Sequence, residues 1–181
     1  MSDRHALEEA GGDLLGRIGM AMKQVDWDAF LSLTDLLPRV RRTFVAGSGR
    51  SGLVARSFGM RLMHAGLTAS IPGETITPAA GKDDLLVAIS CTGQIGVTHY
   101  LAQRAKQVSC RVAVLTATPD SPLARQADKL VLIPVDEPNI VVRACVFEHV
   151  AGLCLDAVFN VLSERMKLDL AAFRAHHANL E

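Results

Sequence analysis

Two short segments carry most of the side chains in this sequence that could do chemistry. The first is VAGSGRSG, Val45 to Gly52, in which Gly47, Gly49 and Gly52 fall in a GxGxxG spacing with Ser48, Arg50 and Ser51 between them. The second is Ser90, Cys91, Thr92 and Gly93. Glycines let backbone N–H groups approach an anion without a Cβ in the way, hydroxyls add donors, and a guanidinium such as that of Arg50 pairs with either a phosphate or a carboxylate. A single phosphate cradled by two Ser/Thr loops needs this composition. The first segment alone also fits a dinucleotide pyrophosphate, or only a tight turn. A dinucleotide requires in addition an acidic residue about 20 positions on for its ribose. Here Glu74 in Pro72-Gly73-Glu74 comes late, and no Walker lysine follows the loop to suggest a nucleoside triphosphate.

The loops need a scaffold that brings them together. Apolar runs at 43–46, 67–71, 85–89, 112–115 and 130–134 alternate with helical segments, and unbroken apolar runs suit strands buried on both faces. This predicts an α/β fold, a three-layer αβα sandwich on a five-stranded parallel sheet of flavodoxin-like order 2-1-3-4-5. In that order strands one and three are neighbours whose outgoing connections diverge, so GSGRSG and Ser90–Gly93 should face each other across the ligand crevice at the carboxyl edge. Helices precede the sheet: Leu7, Leu14, Ile18 and Met22 form one apolar stripe, and 27–37 repeats the pattern up to Pro38.

With 181 residues and 49% hydrophobic side chains, the chain is read as one domain with a full core. Within it, 1–40 holds the N-terminal helices, 41–135 the ligand-binding core and 136–181 the C-terminal helices. No substrate domain of a dehydrogenase fits. Nineteen basic residues balance nineteen acidic ones and aromatics are 4%, which argues against nucleic acid or an anionic membrane as partner. Arg39, Arg41 and Arg42 read as a solvated helix end. Four cysteines without CxxC spacing and an N-terminus without an apolar signal core point to a reducing, cytoplasmic setting, and no His/Cys/Asp spacing supports a metal. The run 144–162 approaches the length of a membrane span but contains Glu148, His149 and Asp156, so it is expected to be a helix buried on several sides, in part by another subunit.

Longer segments resemble a known family. GSGRSGLVARSFGMRLMHAG, GETITP (73–78), DDLLVAIS (83–90), SPLARQAD (121–128), FEH (147–149) and the terminal HANLE are similar to the 6-phospho-3-hexuloisomerases of the sugar isomerase, or SIS, domain family, from about Phe44 onward. The resemblance implies the αβα fold, a homotetramer, and interconversion of 3-hexulose 6-phosphate and fructose 6-phosphate without metal, nucleotide or other cofactor. Two segments depart from it: Ser90-Cys91-Thr92-Gly93-Gln94-Ile95 stands where SGSGET is usual, and Val142-Arg143-Ala144-Cys145 stands where the family is close to PMGT.

Moving a carbonyl from C3 to C2 takes a base beside it, and one carboxylate can remove and return the proton. Glu148 matches the family's Phe-Glu pair. It should lie in the first turns of a helix starting near Val141, at the edge of the phosphate loops, among apolar Val146, Phe147 and Val150 of the kind that tune a carboxyl for this work. Its alternative role is a carboxylate stabilising the helix N-terminus. Glu74 sits at the same edge, as a substrate contact or as part of a turn that shapes the pocket. His177 could assist ring opening in a neighbouring subunit's pocket, or cap the last helix. His64 is expected to pack. Cys91 reads as a small spacer, with no cation near it in sequence to activate its thiol.

Overall fold

The computed structural model describes residues 2–179, so Leu180 and Glu181 of the terminal HANLE lie outside the described residues. Helices α1 (Asp3–Lys23) and α2 (Trp27–Leu36) come first, and Pro38 ends α2 in a single 3-10 turn. Then β1 (Arg42–Gly47), α3 (Gly49–His64), β2 (Ala69–Ser70), β3 (Asp84–Ile89), α4 (Gly96–Gln107), β4 (Arg111–Thr116), β5 (Lys129–Leu132), α5 (Ile140–Arg165) and the short α6 (Leu170–Ala175) follow. All strand pairs are parallel and the order is β2-β1-β3-β4-β5, as the alternation of elements predicts.

Edge strands differ most from expectation. β2 is two residues rather than the run 67–71, because it pairs only with β1 and Pro72 cannot extend a ladder. β5 stops at Leu132, two residues before Pro134. α3 begins at Gly49, inside the glycine loop, and α5 at Ile140, one residue before the expected Val141.

Central strands read as continuous apolar runs because each face has its own core. Val45, Leu85, Val87, Ile89, Leu115 and Val131 point toward α1, α2, α3 and α5. Phe44, Ala46, Leu86, Ala88, Val112 and Val114 point the other way, toward α4. α5 is long and apolar enough to cross a membrane by length and composition. Here Val146, Phe147, Val150, Ala151, Cys154, Leu155, Val158 and Leu162 are buried between the sheet and the other helices, a stripe at helical spacing that fills the thicker layer.

At the amino edge, Arg41 and Arg42 are not a solvated helix end. Both guanidinium groups bond the fully buried carboxylate of Asp84, Arg41 Nη2 at 2.8 Å and Arg42 Nη2 at 3.3 Å, and the Gly81 N–H adds a bond at 2.9 Å. The pairing locks the starts of β1 and β3 in the register that brings their carboxyl ends level.

Candidate functional site

The two loops meet where β1 and β3 end. Gly47 and Gly52 touch through their backbones: a Cβ on Gly47 would lie 2.8 Å from the Ser51 carbonyl, and one on Gly52 2.8 Å from the Gly47 oxygen. No larger residue fits either position without moving the chain, so these glycines make the turn tight enough to start α3 at once. Ser48 is the N-cap residue of α3, yet its hydroxyl makes no cap and instead bonds the buried Thr98 hydroxyl, 3.3 Å away in the first turn of α4. Ile95, at the N-cap of α4, offers no cap either. By contrast α1, α2, α5 and α6 are capped by Ser2, Asp26, Asn139 and Asp169. The two helices that start at the crevice therefore keep first-turn N–H groups free of side-chain caps, and with the dipoles these make a place for an anion.

The second loop is held by its own hydroxyls. Ser90 Oγ accepts from the Gly93 N–H at 3.2 Å and Thr92 Oγ1 from the Gln94 N–H at 3.3 Å, which leaves each hydroxyl hydrogen to donate elsewhere. Gly93 has φ +63°, and a Cβ there would fall 2.0 Å from Ser121 Oγ. The carbonyl of Cys91 accepts from the Ala117 N–H and Thr116 Oγ1, both at 3.1 Å, and from Thr118 Oγ1 at 3.3 Å. Arg143, in the first turn of α5, donates through Nη2 to the Ala117 carbonyl at 3.1 Å and Thr118 Oγ1 at 3.2 Å. Burial pushes the Cys91 thiol up, Arg143 pulls it the other way, and Glu148 adds to the upward push. A cation invisible in the local sequence thus stands near Cys91, although the thiol remains a poor nucleophile.

Glu148 lies past the first turns of α5 and is 8% exposed. Its surroundings are not simply apolar, because Arg50 reaches across from α3 and its Nε donates to Glu148 Oε2. That bond, more than any other influence, holds the Arg50 guanidinium above its ordinary value. The fold thus brings Gly47, Ser48, Arg50, Ser51, Ser90, Cys91, Thr92, Gly93 and Glu148 to one edge.

It does not bring Glu74 or His177 there. Glu74 is exposed and pairs with Arg56 on α3 at 2.8 Å, from a tight turn in which its N–H donates to the Ile71 carbonyl at 3.3 Å. His177 stacks on His64 with ring centroids 4.2 Å apart, at the end of α3 away from the loops, while His176 Nδ1 lies 3.2 Å from the His64 carbonyl. His64 is buried, as expected, and burial lowers its basicity. Sequence reasoning missed Thr98, Ser121, Thr118 and the inward set of Arg143. Thr98 opens α4, and Thr118 and Ser121 lie in the turns after β4, positions where hydroxyls are common, so no local signal marks them.

A parallel αβα sandwich with two uncapped helix starts, paired hydroxyl loops and a buried carboxylate at the switch point forms a crevice suited to a small anionic ligand, with that carboxylate beside it. The SIS domain model matches residues 36–159. Along 97% of this chain and 96% of its own length, the 3-hexulose-6-phosphate isomerase of Mycobacterium gastri is 35% identical, and that of Bacillus subtilis is 39% identical over 82% and 85%. A solved Methanococcus jannaschii protein, whose structure was described as inferring 3-hexulose-6-phosphate isomerase function, superposes with a TM-score of 0.86 at 29% identity, over 96% of this chain and 99% of that one. The chain belongs to the SIS domain family, in agreement with the resemblance read from its motifs, and is an isomerase of that family.

Proposed function

We propose that the chain interconverts 3-hexulose 6-phosphate and fructose 6-phosphate through an enediolate, with Glu148 as the base. The observation that carries this reading is the placement of one buried carboxylate, paired to Arg50, at the edge where both hydroxyl-bearing loops and the uncapped starts of α3 and α4 converge. The names of the relatives agree with it. The phosphate lies on the loop amides with Ser48, Ser51, Ser90 and Thr92 as donors. Arg50 is shared between that anion and Glu148, and the substrate competes for it. Neither bound metal nor nucleotide enters the reaction, and four free thiols suit a cytoplasmic setting.

His177 can reach such a site only in another subunit, since in its own chain it sits against His64. A homotetramer supplies that neighbour, and exposed Leu53, Met60 and Met63 on α3 with Leu153 and Val161 on α5 offer apolar surface for it. Glu74 keeps a role in shaping the turn beside the pocket.

NMR turnover and deuterium exchange across a small panel of sugar phosphates test the function. The unaltered chain is expected to convert the 3-hexulose phosphate in the presence of chelator, and Glu148→Gln to lose turnover by about 100-fold or more. A Glu148→Gln chain with the full rate removes Glu148 from the chemistry. One observation favours a second reading, a non-catalytic sugar-phosphate module: Ile95, 45% exposed at the start of α4, supplies no hydroxyl. That reading requires thermal stabilisation by fructose 6-phosphate with no exchange of carbon-bound protons.

A further inference from the structure

Arg143 has a position that its two hydrogen bonds explain only in part. A cation in the first turn of a helix opposes the helix dipole. Its Nε is buried and, among the described residues, has no hydrogen-bond partner, a cost that a native structure ordinarily avoids. Only Nη2 is committed, to Ala117 O and Thr118 Oγ1, and Thr118 in turn bonds Cys91 O. The guanidinium is thus fixed on the carboxyl end of β4, beside the Cys91 loop and on the same helix as Glu148, with donors to spare. A cation set against the helix dipole and a buried donor left without a partner are local rules broken at one position, which is characteristic of functional positions.

The reaction proposed above needs such a group. Glu148 removes the proton from C2, the C–H electron pair becomes the C2=C3 double bond, and the carbonyl π pair moves to O3, which gains a full negative charge. The hydroxyl proton then passes from O2 to O3, the carbonyl forms at C2, and Glu148 returns its proton to C3. Nothing in the first steps neutralises O3. Arg50 is divided between Glu148 and the phosphate, and the loop amides are taken by the phosphate.

We propose that Arg143 is the catalytic oxyanion donor of this chain: its guanidinium, held by Ala117 and Thr118, donates to the enediolate oxygen while Glu148 moves the proton. This rests on the isomerase reading. A preorganised charged donor of this kind acts on the transition state far more than on the ground state.

The test compares the unaltered chain with Arg143→Met and Arg143→Lys in kcat, KM, and inhibition by a phosphorylated hydroxamate that mimics the enediolate and by inorganic phosphate. Arg143→Met is expected to lower kcat about 100-fold with KM changed little, and to weaken the hydroxamate by a similar factor while phosphate inhibition stays the same. Arg143→Lys, which keeps the charge without the planar fork, is expected to fall between, and serves alone should the Met variant not fold. Unchanged kcat, or equal weakening of hydroxamate and phosphate, overturns the proposal, the second because it would mark a phosphate anchor or a general loss of loop shape. Absence of turnover and exchange in the unaltered chain defeats the isomerase reading first, and Arg143's role with it. An active parent with an indifferent Arg143 defeats this inference alone.

Discussion

Arg50 and Glu148 satisfy each other across the crevice, and this pair changes what each residue means. A buried carboxylate left alone would be costly, and Arg50 by itself would be an ordinary surface cation, but the pair gives Glu148 a partner at the loop edge. Gly93 shows the other kind of constraint at this scale. Its positive φ and the Ser121 side chain leave no room for a Cβ, so Gly93→Ala must displace either the loop or Ser121. It is expected to destabilise the chain by about 1–3 kcal/mol in urea denaturation and to weaken phosphate binding. Unchanged stability would show that the loop relaxes without strain.

At the scale of elements, the carboxyl edge is ordered because the amino edge is tied. Asp84 opens β3 and holds the residues that open β1, so a slip of one strand against the other would bury an unpaired carboxylate. The Arg41 bond, against the opposing effect of burial and with help from Arg42 and the Gly81 N–H, lowers the Asp84 carboxyl from 3.8 to about 2. Because the folded value is depressed, the stability it contributes is full above the ordinary carboxylate value and is lost as pH falls toward about 2. Asp84→Asn is expected to cost about 2 kcal/mol at neutral pH. Unfolding curves of the two proteins should converge as pH drops through that window, and a gap that stays constant would remove the ion pair as its cause.

For the whole molecule, the two faces of the sheet are covered unequally. Four helices pack on one face, whereas α4 is the main cover of the other, and Phe44, Leu86, Leu101 and Val108 line a hollow beside it. Exposed Leu53, Met60 and Met63 on α3 with Leu153 and Val161 on α5 leave further apolar surface uncovered. Sedimentation equilibrium is expected to show a tetramer, and Met60→Glu to shift it to smaller species. A chain that sediments as a monomer at high concentration would exclude the shared-site role of His177.

The sequence by itself determined the sheet order, the segregation of helices before and between strands, and the meeting of GSGRSG with Ser90–Gly93. Strand and helix periodicities and loop glycines are local patterns, and the parallel crossover rule converts them into topology. Only the tertiary structure decided the partners. Arg50 finds Glu148, Arg41 and Arg42 find Asp84, Arg143 finds Thr118 and Ala117, and Glu74 turns away to Arg56. Long polar side chains choose partners by reach across packed elements, and that reach depends on helix placement and strand ends to within a few ångströms. No spacing along the chain encodes such distances, which is why Glu148 was legible as a residue and its paired state was not.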